Sequence, residues 1–461
     1  MKLVAGIDSS TQSCKVLVCD AETGDIIRSG SAVHPDGTEV DPEHWWVALK
    51  QAIEAAGGID DVEAISVGGQ QHGMVLLDAD GEVVRPALLW NDTRSAQAAK
   101  DLTEELEYKN LRGEQAWLDA VGSVPVASYT VTKLRWMADH EPQNLARAVA
   151  CCLPHDWLSQ KLRGETDVSK ITTDRSDASG TGYYSSTLGV YLPEILELAT
   201  RGHSLLLPEV MEPLELRDKV AAGMGDNAAA AVGLGAEVGD VIVSVGTSGV
   251  VSAVSTEGVN VNPVISGFAD GSGEYLPLAC TLNGAMIFDR YAKLFGISLS
   301  ELGSLALSAA PASDGLVTIP FFAGERTPNL PEATARIVGM TNENFTRENL
   351  ARSAFEGLLC GLADAIDAVV DEAPNKVLLI GGASKNEALR QIAAQVFGCD
   401  VEVPEVGEYV ALGAARQAAG ALLGELPNWN RSIEQIIVAD SKPEVRANYS
   451  KARDAYLKEL I

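Results

Sequence analysis

Leu3-Val4-Ala5-Gly6-Ile7-Asp8-Ser9-Ser10-Thr11-Gln12-Ser13-Cys14-Lys15-Val16-Leu17-Val18-Cys19 opens the chain as an apolar strand ending at a carboxylate, a hydroxyl-rich turn and an apolar return strand. The stretch has a counterpart in the second half. Val241 to Val245 reads as a strand, Gly246-Thr247-Ser248-Gly249 as a tight turn, and Val250 to Val254 as its return. One strand, turn and strand unit is thus used twice, the mark of an internally repeated architecture. Around the first copy, a turn through Gly24 leads to a third strand at Ile27. Asp41-Pro42-Glu43 then carries the cap, proline and acidic first turn of a helix start. That helix runs to about Ala56 and stops at Gly57-Gly58. Val62 to Val67 is the next strand, followed by Gly68-Gly69-Gln70-Gln71-His72-Gly73, with Val75 to Asp78 beyond it. This order describes an α/β domain with a mixed sheet.

Helical patterns dominate from Asp92 to Arg201, broken by a polar stretch from Thr166 to Thr187, with Asp174, Asp177, Ser179, Gly180 and Thr181, that reads as a solvated connection, the lining of a substrate cleft being the alternative. After the second hairpin, helices are expected around Met286 to Phe295 and from about Thr346 to Val370. The longer one places Leu350, Phe355, Leu358, Leu362, Ile366 and Val369 at helical spacing. Val377 to Ile380 is a buried strand that opens into Gly381-Gly382-Ala383-Ser384, with a helix from there to Phe397. No low-complexity linker divides the chain. Two domains, 1–238 and 239–461, are expected to pack around a central cleft.

The 461 residues are enough for more than one core, and 46% apolar with 21% charged residues is the balance of a globular protein. A formal charge of −29 argues against nucleic acid or anionic membrane as partner, because their phosphates would be repelled. Seven cysteines without C-x-x-C spacing describe no disulfide or zinc framework, and Cys151-Cys152 lies in an apolar run as core thiols. The opening residues lead into a strand rather than a signal peptide, and no uncharged run is long enough to span a bilayer. A reduced, cytoplasmic setting is expected.

Asp8 ends its strand beside Ser10 and Thr11, and Thr247 and Ser248 occupy the equivalent turn of the second copy. Backbone N–H groups and hydroxyls in such turns are neutral donors suited to phosphate oxygens. A carboxylate next to them suits a hydrated Mg²⁺ that bridges to those oxygens. Gly381-Gly382-Ala383 after an apolar strand offers a third close backbone approach, with helix N–H groups beyond it and Asn386 positioned to bond adenine or phosphate. No third spaced glycine follows, so this is not the dinucleotide fingerprint. Gln71 and His72, with Trp90-Asn91-Asp92, combine amide, imidazole and carboxylate groups beside an aromatic face, as recognition of a polyhydroxylated sugar requires. In Gly223-Met224-Gly225-Asp226-Asn227, backed by Ala228 to Ala231, a glycine-softened loop delivers a carboxylate to a helix N-terminus, where the helix dipole is expected to hold it ionised.

These stretches, in this order across nearly the whole chain, resemble the FGGY family of carbohydrate kinases, of the actin/Hsp70/hexokinase-like ATPase fold (ribonuclease H-like). Gly324-Glu325-Arg326-Thr327-Pro328 belongs to the same pattern, and the Gln71-His72-Gly73 motif with Arg85 to Asp92 points to xylulose rather than glycerol. The resemblance implies transfer of the γ-phosphoryl of MgATP to D-xylulose. Asp226 would be the base and Asp8 the metal-side carboxylate. Gln71, His72, Trp90, Asn91, Asp92 and Asn227 would meet the sugar. Ser10, Thr11, Gly246, Thr247, Gly284, Gly381, Gly382 and Asn386 would bind ATP. Sugar and MgATP are the expected partners, in a chain able to form a homodimer. Ser10 stands where relatives usually carry glycine and Gln71 where many carry Met; the chain is also short for the family, so trimmed peripheral loops are expected. The competing readings are a kinase for ribulose, gluconate or glycerol, and a sugar- or nucleotide-sensing protein without catalysis. Glu325 and Arg326 are read as a structural link or brace, and Lys15 as a packing or surface residue.

Overall fold

The computed structural model describes residues 1–258 and 261–460. Two compact units emerge. The first comprises Met1–Gly235, Ser255–Leu276 and Gly407–Arg431, and the second Ala236–Val254, Pro277–Val406 and Ser432–Ile461.

In the first unit the opening hairpin is β1 (Leu3–Ser9) and β2 (Ser13–Asp20), antiparallel with Asp8 opposite Lys15. β3 (Ile26–Val33) extends it on one side, and β4 (Ala64–Gly69) runs parallel to β1 on the other. β5 (Leu216–Arg217) and β6 (Val220–Ala221) complete the edge, and β7 (Met224–Gly225) pairs with the end of β4. Both faces of β1 are covered: Ala5 and Ile7 join one apolar cluster with Trp45 and Leu49 of α1 (Pro42–Ala55), and Val4 joins another with Ala411, Ala415 and Ala418. α1 starts as its sequence foretold, with Asp41 capping the Glu43 N–H.

The second cluster demands backbone contact. A Cβ on Gly6 would stand 2.0 Å from the Ala411 carbonyl oxygen, and one on Gly413 would stand 1.8 Å from that of Ala229. The helix Tyr409–Leu423 therefore lies directly on β1 and on the alanine-rich helix that begins at Asp226. Of the polar stretch expected to be solvated, Thr166, Asp167, Ser169, Lys170 and Thr187 are exposed, but the part between Ile171 and Ser186 is instead largely interior. It forms α2's neighbour in space, where α2 is Pro154–Arg163 and the short α3 is Arg175–Ser179, and Asp174, Asp177, Ser179 and Thr181 are all buried. Their polar groups are tolerated there because they bond to one another and to nearby main chain.

The second unit repeats the arrangement. β8 (Asp240–Val245) and β9 (Gly249–Ala253) form the hairpin, β10 (Tyr275–Thr281) pairs with β9, and β11 (Lys376–Ile380) runs parallel to β8. β12 (Val401–Pro404) and β13 (Ile433–Ile437) continue the sheet. The long helix is Arg347–Val369, capped by Thr346 and carrying Phe355, Leu358, Leu362, Ile366 and Val369 on its buried positions, as its spacing required. None of the described helices is long and apolar enough to cross a membrane.

Gly413→Ala forces a methyl group into the Ala229 carbonyl. It is expected to destabilise the first unit by about 1–3 kcal/mol, read as a lower midpoint in thermal unfolding.

Candidate functional site

The first unit gathers one set of the sequence-identified residues. Asp226 is the first residue of α4 (Asp226–Leu234), with Gly225 preceding it as the cap. Its Oδ1 accepts from the Asn227 N–H at 2.8 Å and from Asn227 Nδ2 at 3.0 Å. The same Asn227 Nδ2 donates to Gln71 Oε1 at 2.9 Å, which joins the candidate base to the loop after β4. That loop is tight: His72 is left-handed, with φ 68°. His72 donates from Nδ1 to the Gly180 carbonyl at 2.6 Å, and its ring lies against Tyr129 and Phe268. A side chain at Gly225 or Gly180 would displace these groups. A Cβ on the first would be 2.7 Å from Gln71 Nε2, and one on the second 2.8 Å from the His72 ring.

The loop that delivers Asp226 is held at Gly223 from two directions. Gln417, fully buried, accepts from the Gly223 N–H at 3.1 Å and donates to its carbonyl at 3.0 Å. On another side a Cβ of Gly223 would be 2.4 Å from His155 Cδ2, so only glycine fits, and its φ of +84° needs glycine as well.

The expectation of a carboxylate held ionised by the helix is corrected. Removal from water, and then the charges of Asp177 and Asp8, push the Asp226 carboxyl up to about 7. The desolvation cost exceeds what one helix N-terminus returns. Asp8, buried at the end of β1, is likewise pushed up by burial to about 6, although the Ser10 hydroxyl donates to it. Lys15 contributes only at a distance because its ammonium pairs with Glu408, a surface role as expected.

Trp90 donates from its indole to Thr11 Oγ1 at 2.8 Å, so the aromatic face and the first hairpin turn are tied together. Asp92 is buried and fully engaged: it accepts from Thr38 at 2.8 Å and pairs with Arg94 at 2.9 Å. Asn91 donates weakly to the Gly37 carbonyl, while its Oδ1 is buried without a hydrogen-bond partner.

The second unit holds the other set around a cavity of about 790 Å³, lined among others by Gly246, Thr247, Phe288, Leu299, Gly382 and Asn386. Gly284 supports the β8–β9 turn, since a Cβ there would be 2.6 Å from the Gly246 carbonyl oxygen. Gly381 (φ +91°) passes as closely over Val245, whereas a Cβ on Gly382 would meet nothing within 4 Å. Asn386 caps the helix Glu387–Phe397: its Oδ1 accepts from Ala388 N at 2.9 Å and Leu389 N at 3.4 Å. Glu325 is a brace whose partners are the Leu282 and Arg326 N–H groups and Asn283, not a guanidinium.

Sequence reading missed several of these groups. The helix Leu299–Ser308 along the cavity announces itself by the capping box Ser298/Glu301 ahead of an apolar run. His155, Ser176 and Gln417 carry no such local signal. Nor does Lys133, whose burial brings it down to about 7 and whose ammonium bonds the Ser128 and His72 carbonyls.

Residues 3–255 match the N-terminal domain of the FGGY family of carbohydrate kinases, and residues 241–422 match the C-terminal domain. The chain is 42% identical to a xylulose kinase of Streptomyces coelicolor, covering 97% of this chain and 94% of that protein. The structure of xylulose kinase from Bifidobacterium adolescentis superposes with TM-score 0.93 at 45% identity, covering 98% of this chain and 99% of that one. Glycerol kinase from Plasmodium falciparum with ADP shares the fold, with TM-score 0.82 at 18% identity, covering 100% of this chain and 98% of that one.

The raised Asp226 proton affinity means that ionising it costs folding free energy above the unfolded carboxylate range and costs nothing below it. Asp226→Asn should therefore raise the unfolding midpoint at pH 8, by a few degrees, and leave it unchanged near pH 4. Melts at both values check this.

Proposed function

The chain belongs to the FGGY family of carbohydrate kinases, and from that premise we propose that it phosphorylates D-xylulose with MgATP, giving D-xylulose 5-phosphate. The observation that carries the reading is the junction of Asp226, Asn227 and Gln71: a carboxylate of near-neutral proton affinity accepts from the Asn227 amide, which also donates to Gln71, the residue that would hold a sugar.

Phosphoryl transfer through a loose transition state asks the protein chiefly to position groups and neutralise charge. Asp226 orients the primary hydroxyl in line. With an affinity near 7 it accepts the proton as the O–P bond forms, a better match to neutral pH than an ordinary carboxylate provides. Asn227 holds Oδ1, and the second oxygen receives the proton. Gln71, His72 and Trp90 form the sugar contacts, and the unpartnered Asn91 Oδ1 offers an acceptor to a hydroxyl. Asp92 acts at one remove by fixing Arg94 and Thr38.

ATP is assigned to the cavity of the second unit. Phe288 and Leu299 supply apolar walls there, Gly246 and Thr247 present turn groups to phosphate, and Gly382 leaves room for close approach. Gly284 and Gly381 set the shape of those turns, and Asn386 presents the capped helix start. Ser10 and Thr11 are the corresponding phosphate groups of the first hairpin.

Mg²⁺ fits at Asp8 by donor chemistry: it is a buried carboxylate without an ion-pair partner among the described residues, beside the Ser10 hydroxyl that donates to it. Bound there, it would neutralise charge on the phosphates. A cytoplasmic setting and a chain able to form a homodimer complete the proposal, with nucleic acid and membrane left out as partners in keeping with the charge of −29.

Asp226→Asn is expected to bind D-xylulose calorimetrically while losing about 10²–10⁴-fold in kcat; near-normal turnover would remove it as the base. In the unaltered enzyme kcat/KM for D-xylulose should fall tenfold per pH unit below about 7, because only ionised Asp226 accepts a proton. A coupled ADP-release assay over ketopentoses, polyols and sugar acids tests the choice of acceptor.

Gly382→Val places a side chain into open cavity without straining the backbone. It should raise the KM for ATP about tenfold and leave D-xylulose binding unchanged, as steady-state kinetics and calorimetry would read.

A further inference from the structure

Behind the Asp226 loop lies an ionic cluster that the mechanism does not use. His155 is fully buried, with Nδ1 2.9 Å from Asp177 Oδ2 and Nε2 3.2 Å from Asp156 Oδ1 and 3.5 Å from Asp174 Oδ1. Burial alone would lower the affinity of this imidazole for a proton; the carboxylates of Asp156, Asp177 and Asp174 outweigh that and push it to about 10. It is therefore an imidazolium among three carboxylates, two of which are also tied locally. Asp156 accepts the Leu153 N–H at the start of α2, and Asp174 accepts the Ser176 and Asp177 N–H groups at the start of α3.

The cluster reaches both loops of the acceptor site through α3. Ser176 Oγ accepts the Gly225 N–H at 3.1 Å, the residue immediately before Asp226. Gly180, which ends α3, accepts from His72 Nδ1 at 2.6 Å, and the His72 backbone N–H faces the Asp177 carboxylate. The imidazole of His155 fills the groove behind the same two loops: a Cβ on Gly69 would be 2.8 Å from His155 Cβ, and one on Gly223 2.4 Å from its Cδ2. One five-residue helix thus bonds the candidate base's loop at one end and the candidate sugar loop at the other, and the ion pair fixes that helix in place.

We propose that Ser176 and Asp177, with His155 as the anchor of α3, are positioning residues that set the distance between Asp226 and the sugar held by His72 and Gln71. None of them touches the substrate. Their shared effect is on alignment of the acceptor hydroxyl, to which Asp177 adds the charge that raises the Asp226 proton affinity, and a displacement of about 1 Å costs on the order of 10²-fold in rate. The inference rests on the base reading given above.

Ser176→Ala removes one oxygen from a buried site, and Asp177→Asn keeps the side-chain shape while removing its charge. For each, kcat, the KM values for D-xylulose and ATP, and the thermal midpoint are measured on the full chain, with rates scaled to the folded fraction. Expected is a fall in kcat of about tenfold for Ser176→Ala and about 10²-fold for Asp177→Asn, with both KM values within threefold. A folded variant with kcat within twofold of the parent overturns the proposal, as does a loss carried by KM alone. Should Asp177→Asn fail to fold, Ser176→Ala decides. Asp226→Asn is assayed beside them. If it turns over normally, the base reading has failed; if it is inactive while folded Ser176→Ala turns over normally, only the positioning inference has failed.

Discussion

Gly223 carries the constraint on which the acceptor site depends. Its N–H and carbonyl are both bonded by the amide of Gln417, while the imidazole of His155 occupies the space where a side chain would stand. Three residues later the chain presents Asp226. A loop with both backbone groups saturated and no side chain to move has little freedom left, so the carboxylate it delivers is placed rather than sampled. Placement matters more than strength in phosphoryl transfer, where alignment lowers the barrier more than any single bond to the protein does.

Holding such a loop inside the fold has an electrostatic consequence. Asp8, Asp156, Asp174, Asp177 and Asp226 are all pushed upward, each mainly by loss of water. The fold tolerates this concentration by setting one imidazolium among three of them and by saturating others with backbone N–H groups. Asp226 and Asp8 have no such cation in contact among the described residues, as the proposed roles of base and metal-side carboxylate would require. Stability is given up where chemistry needs an unneutralised charge.

The same economy of space appears in the packing of helices. Gly6, Gly233 and Gly413 leave no room for a methyl group, with would-be Cβ atoms 1.8 to 2.1 Å from neighbouring carbonyl oxygens. Backbones in contact give β1, α4 and the helix Tyr409–Leu423 a rigid relation. The alanine run behind Asp226 is thereby explained: Ala228 and Ala229 are buried against that helix, where larger residues would force it away.

What the sequence determined by itself was the repeated hairpin, the helix starts at Asp41 and Thr346, and the turns bearing Asp8, Thr247 and Gly381. All of these follow from alternation, capping and turn chemistry acting over a few residues. Asp226, Gln71 and His72 stood out as candidates by equally local signs, a carboxylate after a glycine-rich loop at a helix start and polar groups past the end of an apolar strand. Tertiary structure decided the rest. The part between Ile171 and Ser186 looks solvated because polarity is a local property, yet its partners His155 and His72 come from elsewhere in the chain and make its burial possible. Gln417 lies 194 residues from the glycine it clamps, and the upward shift of Asp226 arises from water excluded by the assembled fold. Long-range pairing and desolvation exist only once the chain has closed upon itself.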